Sequence, residues 1–128
     1  MNPKVWQLLE KAQEDLRVAE ELLQRIHPEH SASVAYYAMF HAAEALLLSL
    51  GIEVSTHRAT HAAFGLQFAK TAKLDPRLHR YLLAAFEKRT DADYDVTVKL
   101  AQKEVEALLA QAREFVAAAE AYLNAQGG

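Results

Sequence analysis

The sequence predicts an all-α fold, a five-helix up-and-down bundle, on the strength of three observations. First, strong helix formers such as Ala, Leu, Glu and Lys dominate its 128 residues, and only 4 Gly and 3 Pro interrupt them. Second, apolar residues recur at steps of three and four in four segments, as on one face of a helix. Third, residues 33–51 are apolar on nearly every side, which is typical of a helix enclosed by others.

The first segment predicts a long amphipathic helix that begins at Asn2 and Pro3. Asparagine suits the N-cap position, and proline fits the first helical turn. We expect the helix to end at His27-Pro28, because the residue before a proline avoids the helical region. Its apolar positions alternate at steps of four and three, as in a coiled-coil seam: Val5, Leu9, Ala12, Leu16, Ala19, Leu23 and Ile26.

The second segment predicts the central helix of the bundle. Ser31 or Ser33 can cap its start, and Gly51 suits the left-handed position that follows its last turn. One ionisable pair, His41 and Glu44, interrupts its apolar surface. The two residues lie three apart on a helix, and a buried charge needs a partner, so we expect them to contact each other.

A third helix is predicted from about Thr56 or Thr60 to Ala72. Gly65 lies inside it, and a glycine there costs about 1 kcal/mol relative to alanine, which indicates close packing against a neighbour. Asp75-Pro76 is a start signal for the fourth helix.

The stripe of the fourth helix, formed by Leu78, Leu82 and Ala85, continues to Arg89 at the next i to i+4 step. We expect residues 90–98, TDADYDVTV, to end this helix and form a loop. A last helix is predicted from about Leu100 to Leu123, and residues 126–128 are expected to fray.

Composition limits the class of protein. The absence of cysteine excludes disulfides, thiol chemistry and Cys-ligated metals, and it favours a reducing cytoplasm. No apolar run of membrane-spanning length is uninterrupted by charge, so no membrane association is expected. We predict one cytoplasmic domain over residues 1–128. His57 and His61 have the spacing of two metal ligands, but no third ligand is evident, so neither a metal nor a cofactor is expected.

The net charge of -3 conceals a basic middle segment. Residues 57–89 contain seven Lys or Arg and two acidic residues, whereas the segments on either side are acidic. Such a segment could face phosphates or an acidic partner. The alternative is a solvated surface whose charges are balanced by its neighbours.

Several motifs together resemble the HEPN family, named for higher eukaryotes and prokaryotes nucleotide-binding domains. The resemblance extends from about Gln13 to Leu123 and is closest to a small stand-alone prokaryotic branch with an R-x-x-A-D-Y motif. The residues that carry it are YYAMFHAA at 36–43, Leu46-Leu47, Thr60-His61, Phe68, Arg89 with Ala92-Asp93-Tyr94, and Ala112 with Phe115-Val116.

The resemblance implies an all-α bundle that usually forms homodimers. Many members are metal-independent ribonucleases in which a histidine follows an arginine by four to six residues. Many are encoded beside a minimal nucleotidyltransferase as the toxin half of a toxin–antitoxin pair. That partner can silence the toxin by adding AMP to a tyrosine near the motif. Other members have lost the motif and serve as binding or scaffolding modules.

Arg89 matches the family arginine, but Asp93, Tyr94 and Asp95 stand where the ribonucleases carry their histidine. The catalytic candidates are therefore Arg89, Asp93, Tyr94 and His41. The candidates for binding RNA or a nucleotide are Arg89, Lys88, His61 and Tyr37. Tyr94 is the tyrosine that corresponds to the AMP acceptor.

Metal-free RNA cleavage needs a base, an acid and a cation for the phosphate. Arg89 can supply the cation and grip a phosphate with two N–H groups. Asp93 is the weaker candidate for the base, because a nearby arginine stabilises the charged form of a carboxylate. His41 or His61 could replace the missing histidine in space. The structural alternative for Arg89 and Asp93 is an i, i+4 ion pair that closes the fourth helix.

Three functions remain open from the sequence. The leading one is a toxin-like partner of a minimal nucleotidyltransferase that acts on or binds RNA or nucleotides. The second is a non-catalytic interaction module. The third is a metal-independent ribonuclease whose site is rebuilt around Arg89, so any enzymatic activity would be of the ribonuclease type. We also expect a homodimer with part of the central or third helix in its interface.

Overall fold

The computed structural model describes residues 1–127, and within that range it consists of five α-helices and no strand. This confirms the predicted all-α, five-helix fold. A π-helical turn, Gly65–Ala69, continues α3 without a break. The helices are α1 (Pro3–Gln24), α2 (Pro28–Ser49), α3 (His57–Phe64), α4 (Arg77–Tyr94) and α5 (Gln102–Gly127).

Helix α2 is the centre of the bundle and packs against all four other helices. Six alanines on it are fully buried, and their small side chains let neighbouring helices approach closely. Tyr36, Met39, Leu46 and Leu47 are also fully buried. The predicted central position of this segment is therefore correct, and the packing leaves little of its apolar surface uncovered.

The link between α1 and α2 lies earlier in the chain than the sequence suggested. Helix α1 ends at Gln24, before the predicted end at His27-Pro28, and Pro28 occupies the first turn of α2 instead. The predicted serine caps are wrong, because His27 is the N-cap and the Ser31 hydroxyl donates to the Ala19 carbonyl at 2.7 Å. Ile26, expected on the α1 seam, is 75% exposed at a left-handed φ of 63°.

Helix α3 begins where the sequence indicated, because the Thr56 hydroxyl accepts a hydrogen bond from the Ala59 amide at 3.0 Å. The π-helical turn ends at Ala69, and Ala72 adopts a left-handed φ of 57°. Gly65 confirms the predicted close approach. A Cβ atom placed on it would lie 2.7 Å from the His79 ring of α4.

Helix α4 is longer than predicted. Its start is confirmed, because the Asp75 carboxylate accepts a hydrogen bond from the Arg77 amide at 3.0 Å. The expected loop over residues 90–98 is wrong in its first half, since the helix continues through Tyr94. Helix α5 begins at Gln102 and remains helical through Gly127, so the fraying expected at 126–127 is not found. Gly128 lies outside the described residues.

Candidate functional site around Tyr36, Tyr37 and Arg89

The site is built on two adjacent tyrosines of α2. Tyr36 is fully buried, and its hydroxyl lies 2.7 Å from His57 Nδ1 and 2.7 Å from His61 Nε2. The two histidines lie one turn apart on α3, so both rings face α2. A hydroxyl carries one proton and therefore donates to one ring and accepts from the other. Tyr36 thus links both histidines into one hydrogen-bonded chain.

Arg89 of α4 closes the site from the other side. Its guanidinium carbon lies 5.2 Å from the centre of the Tyr37 ring and 6.0 Å from that of Tyr36. These are distances at which a cation is attracted to an aromatic face. Its Nε lies 2.9 Å from Asp93 Oδ2, so the i, i+4 ion pair forms. That nitrogen is buried and poorly aligned for a hydrogen bond, so the contact is chiefly one of charge.

Burial and positive charge keep both histidines neutral at pH 7. Burial lowers the pKa of His61 to about 4, and the neighbouring His57 and His79 contribute. Burial also lowers the pKa of His57, and the Arg89 guanidinium adds to that effect. The pKa of Tyr36 is raised, mainly by its burial, so its hydroxyl keeps its proton. The site therefore combines one permanent cation with two neutral imidazoles.

Aromatic rings enclose the histidines. The His57 ring centre lies 4.6 Å from that of Phe40, and His57 stacks on Phe86 at 5.4 Å. His61 meets the edge of Phe86 at 4.9 Å. Within residues 1–127, His57 Nε2 has no hydrogen-bond partner, whereas its Nδ1 is held by Tyr36. This leaves Nε2 available to a ligand.

His41 is placed differently from the prediction. Its Nδ1 lies 2.7 Å from Asp15 Oδ2 on α1, so the expected contact with Glu44 is wrong. The His41 ring stacks on the outer side of Tyr37 with centres 5.9 Å apart. Glu44 faces a separate cavity beside Lys4, and burial raises its pKa, with His41 and Lys4 opposing that rise.

The remaining candidates divide between the cluster and the surface. Tyr37, His61, Arg89 and Asp93 lie together in the cluster. Lys88 instead forms an ion pair with Glu104 of α5. Tyr94, the last residue of α4, is 86% exposed.

Tyr36 and His57 are the two residues of the site that sequence reasoning missed. The spacing of His57 and His61 was a signal, because it places both imidazoles on one helix face. A buried tyrosine needs a partner for its hydroxyl, and that demand pointed to the same pair. Within residues 1–127, no three His, Cys, Asp or Glu side chains are grouped as a metal site requires.

The structure thus combines a five-helix bundle with an arginine of α4 that packs against two tyrosines of the central helix α2. The model of the HEPN domain matches residues 5–122, and the chain belongs to the HEPN family. None of the helices described is long and apolar enough to cross a membrane.

Three relatives are similar over most of their length. A Methanocaldococcus jannaschii protein named "Putative toxin MJ0142" is 34% identical over 91% of this chain and 79% of its own. A UPF0332 protein of Gloeobacter violaceus is 32% identical over 96% of this chain and 98% of its own. A second M. jannaschii protein, named "Putative toxin MJ0605", is 32% identical over 85% of this chain and 81% of its own.

Proposed function

We propose that this chain is a HEPN toxin that acts on RNA through the cluster of Tyr36, Tyr37, His57 and Arg89. The observation that carries the proposal is the position of Arg89, held against the Tyr37 ring next to a neutral histidine. Two relatives that are named putative toxins support the proposal that this chain is a toxin.

Arg89 is suited to bind a phosphate. Within residues 1–127, Asp93 is its one carboxylate partner, and it approaches Nε rather than the two terminal nitrogens. The Tyr37 face fixes the plane of the guanidinium, which reduces the entropy lost when a ligand binds. An incoming phosphate would pair with the guanidinium in place of Asp93 or together with it. Its oxygens would accept two parallel N–H hydrogen bonds from Arg89.

His57 is suited to act as the base that the family motif lacks here. Its lowered pKa keeps the ring neutral, and Tyr36 fixes its orientation. In the tautomer whose Nδ1–H donates to Tyr36, Nε2 carries no proton and can act as a base. In a metal-free cleavage, Nε2 would take the proton of the RNA 2′-hydroxyl as that oxygen attacks phosphorus. Arg89 would neutralise the charge that develops on the phosphate oxygens. The leaving 5′-oxygen would take its proton from water.

The second candidate function is a non-catalytic binding module. The Arg89–Asp93 ion pair favours it, because that pair partly neutralises the guanidinium in the free protein. A binding module would retain RNA or nucleotide affinity without cleaving.

One experiment separates the two functions. Fluorescence anisotropy measures binding of a labelled oligoribonucleotide, and gel analysis measures its cleavage, for the wild type and for Arg89→Ala and His57→Gln. We expect Arg89→Ala to lose both signals and His57→Gln to lose cleavage alone. Arg113→Ala, which removes an exposed arginine paired with Glu20, is the matched control. Binding without cleavage in the wild type would favour the binding module, and absence of both would refute the RNA function.

The proposal includes two protein partners. The first is a second copy of this chain, which light scattering at micromolar concentration would reveal as a dimer. The second is a minimal nucleotidyltransferase that modifies Tyr94, and the exposure of that side chain supports access by another protein.

A further inference from the structure

A shallow groove runs over the surface between α3 with its π-helical turn and α4. It consists of two adjoining cavities of about 470 and 530 Å³ that share Ala62 and His79. Leu66 and Leu83 line it, one in each cavity, and are 56% and 41% exposed. We call this surface the α3–α4 groove. It lies outside the Arg89 cluster and meets it only at one end.

The rim of the α3–α4 groove is basic. Arg58, Lys70 and Arg80 line it, and no acidic residue does. Within residues 1–127, none of these three cations forms an ion pair. By contrast, Arg77, another cation of the basic middle segment, lies 2.7 Å from Glu114. The groove therefore retains three uncompensated charges in a chain whose net charge is -3.

The shape of the groove suits a helix. Its α3 side presents Ala62 and Ala69, small residues that allow a close approach, whereas Gly65 between them is covered by the His79 ring. From Arg58 to Lys70 the wall spans roughly 18 Å at about 1.5 Å per residue. That length accepts about three turns of a docked helix, with Leu66 and Leu83 packing against its apolar stripe.

We infer that the α3–α4 groove docks an amphipathic, acidic helix of a partner protein. Charge complementarity determines the choice of occupant, because carboxylates flanking an apolar stripe would meet all three rim cations while the stripe covers the leucines. A second copy is a poorer fit, because a two-fold axis through the groove would bring the basic rim of one copy against the basic rim of the other. Nucleic acid is also a poorer fit, because phosphates gain nothing from exposed leucines.

Docking at this groove would reach the Arg89 cluster. His61 and Phe86 line the end of the groove, and His61 holds the Tyr36 hydroxyl. A helix seated there covers the solvent side of both rings. The inference does not rest on the RNA function, because it follows from the charges and exposed leucines of the groove alone.

The test is a selection from a display library of helical peptides about 14 residues long, performed on the whole protein. A parallel selection uses the variant Leu66→Glu/Leu83→Glu, in which two exposed side chains change and no buried one does. A third uses Val96→Glu, a matched control at an exposed residue far along the chain. Selected peptides are synthesised, and their affinities are measured by anisotropy with the wild type, with each variant and with Arg58→Glu/Arg80→Glu.

We expect the wild type and Val96→Glu to enrich peptides that carry a net negative charge and an apolar stripe at i, i+4 and i+7. Both groove variants should bind these peptides at least about tenfold more weakly than the wild type, because each removes apolar anchors or charge partners. Enrichment of no sequence, or of peptides insensitive to both groove variants, would overturn the inference. So would an oligouridylate that competes for the groove, since that outcome assigns it to RNA.

Discussion

The single proton of the Tyr36 hydroxyl determines how the two histidines of the site behave. If Tyr36 donates to His61, then His57 donates its Nδ1–H to Tyr36 and its Nε2 is an acceptor. If Tyr36 donates to His57 instead, Nε2 of His57 carries a proton and becomes a donor. The His57 ring can thus present either a base or a hydrogen-bond donor to a ligand. The burial of His61 keeps the three hydrogen-bonded side chains uncharged.

Tyr36→Phe tests how much this hydroxyl contributes to the stability of the fold. The change leaves buried His61 without its partner, and an unsatisfied buried polar group costs about 1–3 kcal/mol. We expect the free energy of unfolding in urea to fall by that amount. The control is Tyr81→Phe on α4. Tyr81 is partly buried and its hydroxyl has no hydrogen bond within residues 1–127, so the loss of that hydroxyl should be almost neutral. Equal effects for both variants would contradict the prediction.

His61 should also make stability depend on pH. Its folded pKa of about 4 lies below the ordinary value of 6.5, so the unfolded chain binds more protons between these values. The contribution of His61 is therefore complete above pH 6.5 and is lost as the pH falls toward 4, by up to about 3 kcal/mol.

Urea unfolding at several pH values measures this effect. The slope of unfolding free energy against pH between 4.5 and 6.5 should be smaller in His61→Asn than in the wild type. His30→Asn, at an exposed position, should keep the wild-type slope. An unchanged slope in His61→Asn would show that His61 is not the group that titrates.

At the scale of elements, a close contact between Gly65 and His79 joins α3 to α4. The His79 ring lies over Gly65, and its Nε2–H donates to the His61 carbonyl at 3.1 Å. The π-helical turn begins at the same glycine, and π-helical turns are frequent at functional sites. Gly65 therefore fixes the spacing between the two helices that carry His61 and Arg89.

Gly65→Ala tests this contact. Alanine favours a helix by about 1 kcal/mol over glycine, but its Cβ would lie 2.7 Å from the His79 ring. The ring cannot move away freely, because it is hydrogen-bonded to the His61 carbonyl. We therefore expect the cost of overpacking to exceed the gain in helix propensity, so that stability falls by about 1–3 kcal/mol. In the background of His79→Ala the same change should be neutral or stabilising. A double-mutant cycle in urea measures the coupling, and additive effects would contradict the prediction.

The sequence was informative where the signals were local. The Asn2, Thr56 and Asp75 caps were visible because each depends on a side chain and an amide two or three residues away. The extension of α4 through Tyr94 was missed, since three aspartates suggested a loop. The Arg89–Asp93 pair predicted for that stretch is one of the contacts that support the extra turn.

The site was harder to predict because it depends on tertiary contacts. Arg89 and Asp93 share one helix, so their contact followed from spacing. Tyr36 and His57 come from different helices, and their contact depends on how α3 packs on α2. The Asp15 partner of His41 lies on α1, so periodicity within α2 could not reveal it.

At the scale of the whole molecule, the positive charges of residues 57–89 differ in whether a carboxylate balances them. Part of the basic middle segment is balanced, as the Lys88–Glu104 and Arg77–Glu114 pairs demonstrate. Within residues 1–127, the other cations of this segment either form no ion pair, as in the α3–α4 groove, or pair on their own helix, as Arg89 does with Asp93. A protein that neutralised Arg89 would remove the cation on which the proposed RNA site depends.

Modification of Tyr94 would achieve that neutralisation. Tyr94 follows Asp93 at the exposed end of α4, about 7.5 Å along the helix axis from Arg89. An AMP group on its hydroxyl would bring a phosphodiester charge that can pair with the guanidinium and block RNA phosphates. The exposure of the side chain means that a transferase could reach the hydroxyl without unfolding the bundle.

Co-expression with a minimal nucleotidyltransferase tests the proposal. Intact-mass analysis should show an AMP adduct on the wild type and on Tyr81→Phe, which removes another hydroxyl of α4, and none on Tyr94→Phe. The adduct should also reduce oligoribonucleotide binding at least about tenfold, because it would compete for the Arg89 guanidinium that we propose binds phosphate. An adduct that persists in Tyr94→Phe would move the modification to another residue. An adduct on Tyr94 that leaves RNA binding intact would separate the modification from the Arg89 site.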